Sequence, residues 1–181
     1  MTPQEVLGRI DFAENRLRQL LALNGGDLAG ANVNEKQQLI EEFFFHLAAS
    51  TEMLAQLVNE KRSLGVGAED VSARGAAVRL NQTDPVRTRL EMLAPKTKGQ
   101  PLPADPYNDE GYIFRIVNYR NQVAHRGHSP FFYRLGDAPP VCLFLDPRTS
   151  RLGSSKKSIQ DELAYMLKLI RGQSADIIKL I

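Results

Sequence analysis

The residues best suited to chemistry lie in one stretch, from Asp109 to His128. Asn121 and His125 are four residues apart, so on a helix they stand about 40° apart and share a face. Asn118 extends that row by one turn. Arg120 stands roughly 140° from His125 on the same wheel, yet its long side chain can swing toward the histidine at a helix end. The helix dipole at a C-terminal turn favours the imidazolium form of His125, whereas Arg120 and Arg126 oppose it. A histidine under opposed influences can titrate near neutrality, which suits general acid or base work. Arginine beside it suits a phosphate, because the guanidinium fork matches phosphate oxygens and stays charged. Arg115, Arg126 and His128 lie in the same stretch and are candidate RNA or phosphate contacts.

The run Arg120-Asn121-Gln122-Val123-Ala124-His125 resembles the Arg-x(4–6)-His motif of HEPN domains, with asparagine directly after the arginine. The resemblance implies a small α-helical bundle with the motif near the end of a late helix. It also implies a metal-independent endoribonuclease, of the kind found as toxins or phage-defence components. In such proteins two protomers pair with their motifs facing each other. Carried over, Arg120 would hold the scissile phosphate and offset transition-state charge. His125 would transfer the proton, and Asn121 would orient the histidine or bind the phosphate. The nucleophile would be the RNA 2′-hydroxyl, and the partners would be RNA, a second copy of the chain and an antitoxin protein. Some relatives carry a tyrosine two residues after the histidine, the target of a modifying antitoxin. Gly127 stands there in this chain. The alternative reading is a non-catalytic HEPN-like module that binds a nucleotide, an RNA or a protein through the same groove.

Other constellations are weaker. His46, His125 and His128 could form a three-histidine metal site, but no carboxylate or cysteine spacing supports one, and no metal or cofactor is expected. His46 follows Phe43-Phe44-Phe45 and reads as a partly buried histidine. Were its helix to pack on the motif helix, His46 or Glu42 could line the same cleft. Gly65-Val66-Gly67 lacks the preceding strand of a dinucleotide site and reads as a turn. Phe131, Phe132 and Tyr133 could stack bases, though packing within a hairpin explains them more simply.

The elements that must position the motif follow from caps and periodicity. Thr2-Pro3-Gln4-Glu5 is a capping box with proline at the first helical position, and that helix stops at Asn24-Gly25-Gly26. Asn34 is read as the cap of a long helix over 35–62, whose three adjacent phenylalanines exceed one stripe and predict packing on more than one side. A weaker helix is expected from Ala68 to Leu80, and a short one capped by Asp84 ends near Ala94. Pro95 to Tyr107 reads as a proline-rich loop. Asn108 or Asp109 opens the motif helix and Gly127 ends it. Phe131–Leu135 and Val141–Leu145, around a turn at Gly136–Pro140, predict a small β-hairpin. Ser155 or Ser158 caps a last helix whose apolar side runs from Ile159 to Ile181. The expected fold is thus all-α, an antiparallel HEPN-like helical bundle with a small hairpin inserted near 131–145, in a single domain over 1–181.

Composition sets the outer bounds. The chain has 181 residues, 43% hydrophobic and 24% charged, which is the balance of an ordinary globular domain. One cysteine, Cys142, excludes an internal disulfide framework. No apolar run approaches the ~18 residues of a membrane span. The first fifteen residues lack the apolar core of a secretory signal, so a cytoplasmic location is expected. Net charge is +2, but residues 1–70 hold 6 basic and 11 acidic side chains and the remainder hold 17 and 10. The basic excess lies in the half that carries the motif, where it can attract a polyanion.

Overall fold

Thr2 opens the first helix, α1 (Pro3–Ala22), with both arms of the capping box in place. Its hydroxyl accepts from the Glu5 amide at 3.3 Å, and the Glu5 carboxylate accepts from the Thr2 amide at 2.6 Å. These bonds satisfy two of the donors that every helix start leaves without intrahelical partners. The computed structural model describes residues 1–23, 32–67, 69–94, 103–126, 131–134, 141–146, 151–152 and 159–181. For residues 32–33, 122–126 and the three strands it describes the backbone alone.

The second helix, α2 (Asn32–Lys61), begins earlier than its expected cap. Asn34 therefore lies inside the helix, two residues past its start. Phe43 and Phe44 are buried, while Phe45 is 54% exposed. Two short helices follow. In α3 (Ala73–Arg79), Ser72 caps by accepting from the Gly75 amide, so the helix starts later than Ala68. In α4 (Pro85–Leu93), Asp84 accepts from the Val86 amide at 2.9 Å. The motif helix is α5 (Asp109–Arg126), and α6 (Ile159–Leu180) closes the described chain. Six α-helices thus dominate the described residues. Among those residues, no helix is long and apolar enough to cross a membrane.

Beyond α5 the backbone forms β1 (Phe131–Arg134), β2 (Val141–Asp146) and β3 (Arg151–Leu152), in the order β1-β2-β3. β1 and β2 pair antiparallel, Phe131 with Phe144 and Arg134 with Val141. The expected turn at Gly136–Pro140 lies outside the described residues. So do the stops at Asn24-Gly25-Gly26 and Gly127, the caps Ser155 and Ser158, and Pro95–Leu102.

α2 is the central element, touching α1, α3, α5 and α6. One core cluster runs through all six helices, including Ile10, Phe44, Leu57, Ala76, Leu90, Tyr119 and Met166. Burial of such apolar surface is the main drive for assembling the bundle.

One polar contact crosses this core. Arg115 is 3% exposed and Glu162 1% exposed, and the two form an ion pair between α5 and α6. The Arg115 guanidinium also donates to the Pro106 carbonyl at 3.2 Å and to the Tyr119 hydroxyl at 3.3 Å. It lies over the rings of Tyr107, Tyr112 and Tyr119, 5.2 to 5.6 Å from their centroids. Burial pushes its pKa down, and Tyr119 and Glu162 push it up by more, so the net shift is upward and the charge is held.

The end of the proline-rich stretch is accordingly not a free linker. Pro106 and Tyr107 are tied to Arg115, and the 105–106 backbone presses on the start of α5. A Cβ on Gly111 would stand 2.3 Å from the Asp105 carbonyl oxygen, so only glycine admits that approach. Asn108 secures the junction by accepting from the Gly111 amide at 2.7 Å.

Removing one member of a buried pair leaves the other charge uncompensated. Arg115→Ala is therefore expected to destabilise the fold by about 3–5 kcal/mol in urea unfolding. The double variant Arg115→Met/Glu162→Leu should recover most of that loss. A single variant within ~1 kcal/mol of the wild type would remove the pair from its structural role.

Candidate functional site at the end of helix α5

The apolar stripe of α5 orients its polar residues. Tyr112, Ile113, Ile116 and Tyr119 are buried, so the positions directly after Tyr119 must emerge on another side of the helix. Arg120 is partly exposed and Asn121 is exposed. Arg120 Nη1 donates to Asn121 Oδ1 at 3.2 Å, which joins the two motif residues directly.

A third residue reaches this pair from α2. Glu52 Oε1 lies 3.7 Å from Arg120 Nη2, with the side chains 55% and 36% exposed. An ion pair that long and that wet is worth at most about 1 kcal/mol. This single long contact leaves the guanidinium fork able to give two parallel N–H bonds to an oxyanion such as a phosphate.

The expected site residues do not all gather here. Arg115, expected as a phosphate contact, is committed to Glu162 inside the core and has no surface to offer. Its place was legible in principle. It falls three residues after Tyr112 and four before Tyr119, in the middle of the buried stripe. Glu162 occupies the same position in α6, between Ile159 and Met166. Asn118 does not extend the polar row: its side-chain amide donates to the Phe114 carbonyl of its own helix at 2.8 Å. The backbone of α5 carries helical geometry through His125 and Arg126, whose side chains lie outside the described residues, as does His128.

His46 is partly buried, as its sequence context predicts. α2 packs on α5, but His46 and Glu42 contact a different neighbour, α1. Glu42 pairs with Arg16. His46 stacks on Phe12 with ring centroids 5.3 Å apart, and its Nδ1 lies 3.3 Å from Arg9 Nη1. Because a guanidinium can only donate, Nδ1 is the acceptor and the ring proton sits on Nε2. Glu52 is the α2 residue whose side chain reaches Arg120, and no pattern in the sequence singled it out. Among the described residues no group of three or more metal-binding side chains is gathered at one point.

Comparison of the chain with protein-family models, with curated proteins and with solved structures gave no match.

The surroundings of His46 generate a pH test. Burial lowers its pKa from the ordinary 6.5, Arg9 and Arg16 lower it further, and Glu42 opposes them. The folded state thus binds a proton less readily than the unfolded chain. Its contribution to stability is complete well above 6.5 and is lost as the pH falls through the lowered value. Unfolding free energies at about pH 7.5 and pH 5 should differ less in His46→Gln than in the wild type. An equal difference in both proteins would dismiss His46 as the titrating group.

Proposed function

We propose that this chain is a metal-independent endoribonuclease of the HEPN type, with Arg120, Asn121 and His125 as its working residues. The observation that carries the reading is Arg120, a partly exposed guanidinium hydrogen-bonded to Asn121 and only loosely matched by a carboxylate. Arg115 is already neutralised in the core. Arg120 instead stands where an incoming phosphate can reach it.

The chemistry follows from these residue types. A 2′-hydroxyl oxygen of the RNA attacks the adjacent phosphorus, and its proton passes to an imidazole acting as base. The bond from phosphorus to the 5′-oxygen breaks, and that oxygen takes a proton from a second imidazole acting as acid. The products are a 2′,3′-cyclic phosphate and a 5′-hydroxyl. Arg120 offsets the charge that grows on the non-bridging oxygens. One His125 per chain cannot fill both proton roles at once, so the site takes a second copy of the chain with its own motif. A toxin or defence role, restrained by an antitoxin protein, belongs to the same proposal. DNA, which lacks the 2′-hydroxyl, is not cut.

The test is incubation with a mixed RNA pool in EDTA. Wild-type protein should cleave, and Arg120→Ala should lower the rate by about 10²–10³-fold. His125→Ala should abolish cleavage, while Glu52→Gln, which frees Arg120, should raise it. Binding of RNA without cleavage by folded protein would replace this reading with the non-catalytic module.

A further inference from the structure

Exposed apolar side chains scattered singly over a surface need no explanation, but a contiguous aromatic group does. Phe12 on α1 and Phe45 on α2 are 53% and 54% exposed. Both rest on one ring. Phe12 lies nearly parallel to His46, with 24° between the planes, and Phe45 meets it edge-on at 72° with centroids 5.5 Å apart. The three rings form one aromatic surface across the α1–α2 seam.

The charges beside this surface are balanced in number but differ in their partners: Glu41, one turn before Phe45, accepts from the Gln37 side-chain amide. Glu42 is matched by Arg16, Asp11 by Arg171, and Glu14 by both Arg18 and Arg171. Arg9, at the edge of the rings, contacts neutral His46 Nδ1. Among the described residues no carboxylate is paired with it. Aromatic faces beside a guanidinium are what an unpaired nucleic-acid strand recognises, through stacking of its bases and pairing of its phosphates.

Phe45 shares a face of α2 with Glu52, the residue beside Arg120. Phe45 and Glu52 are seven residues apart on α2, so they point within roughly 20° of each other, with about 10.5 Å of helix axis between them. Glu52 is the residue that touches Arg120. That interval matches about three stacked nucleotides at ~3.4 Å each.

We propose that Phe12, His46 and Phe45, with Arg9 at their edge, form a platform on which unpaired bases of a single-stranded RNA stack while its backbone runs along α2 to Arg120. The proposal rests on the reading of Arg120 as a phosphate-binding group. It adds a recognition surface on the two N-terminal helices, where the acidic excess of residues 1–70 gave no hint of one.

The probe is a fluorescein-labelled 2′-O-methyl oligonucleotide of mixed, non-self-complementary sequence, which can be bound but not cut. Anisotropy titrations are run on the full chain beside cleavage of unmodified RNA. Phe12→Ala and Phe45→Ala should each weaken binding about tenfold with an unchanged urea midpoint. Phe12→Trp should restore binding, because it keeps an aromatic face. Unchanged binding by both alanine variants overturns the platform, and Arg120-dependent cleavage then leaves the nuclease reading intact. Phenylalanine-dependent binding without any cleavage has the opposite meaning: the platform stands and the nuclease reading falls. Absence of binding by the wild type overturns the platform. So does a shift from dimer to monomer in the alanine variants with binding unchanged, which would assign the patch to contact between two copies.

Discussion

The ion pair between Arg115 and Glu162 fixes the geometry on which the rest of the bundle depends. Desolvating two charges in a core is unfavourable unless their attraction and further hydrogen bonds offset it. Arg115 reaches Glu162, the Pro106 carbonyl and the Tyr119 hydroxyl at once. Three aromatic rings cover its remaining faces. One side chain thereby joins α5, α6 and the 105–108 turn. The rotation of α5 about its own axis is set by this contact, because Arg115 can meet its partners only when Tyr112 and Tyr119 also face inward.

That rotation governs the candidate site. With Tyr119 buried against Phe44, Arg120 and Asn121 turn outward. α2 is then the element beside them, and Glu52 the side chain within reach of the guanidinium. The two arginines of one helix therefore have opposite fates. Arg115 is neutralised in the interior and stiffens the scaffold. Arg120 remains available in solvent, close to a weak competitor. A phosphate site needs both conditions: a rigid element to hold the guanidinium and no strong carboxylate to occupy it.

The same helix α2 connects that site to the aromatic surface over α1. Its buried face carries Phe43, Phe44, Leu47 and Leu54, while Phe45 and Glu52 lie along an exposed stripe. A helix that touches four others presents little free surface. Between the α1 seam and the end of α5 it leaves Phe45 and Glu52 open, on one path along its length. Aromatic rings at one end of that path and a guanidinium at the other give it a chemical direction.

Local elements were legible in the sequence because their free energies act within a single helical turn. The capping box at Thr2, the cap at Asp84, the proline at the start of α4 and the apolar stripes of α1, α5 and α6 are of this kind. Misjudged boundaries, such as the starts of α2 ahead of Asn34 and of α3 after Ala68, lie at helix ends, where local signals specify the exact residue least sharply. The order Arg120-Asn121 was legible as well, since neighbours on a chain stay neighbours in the fold. Only the tertiary structure decided which carboxylate the buried Arg115 finds, which α2 side chain reaches Arg120, and whether Phe45 joins the core. Those outcomes depend on how helices cross and how far each turns about its axis. Periodicity marks one face of a helix as apolar, but it does not name the side chain from a distant segment that lies against it.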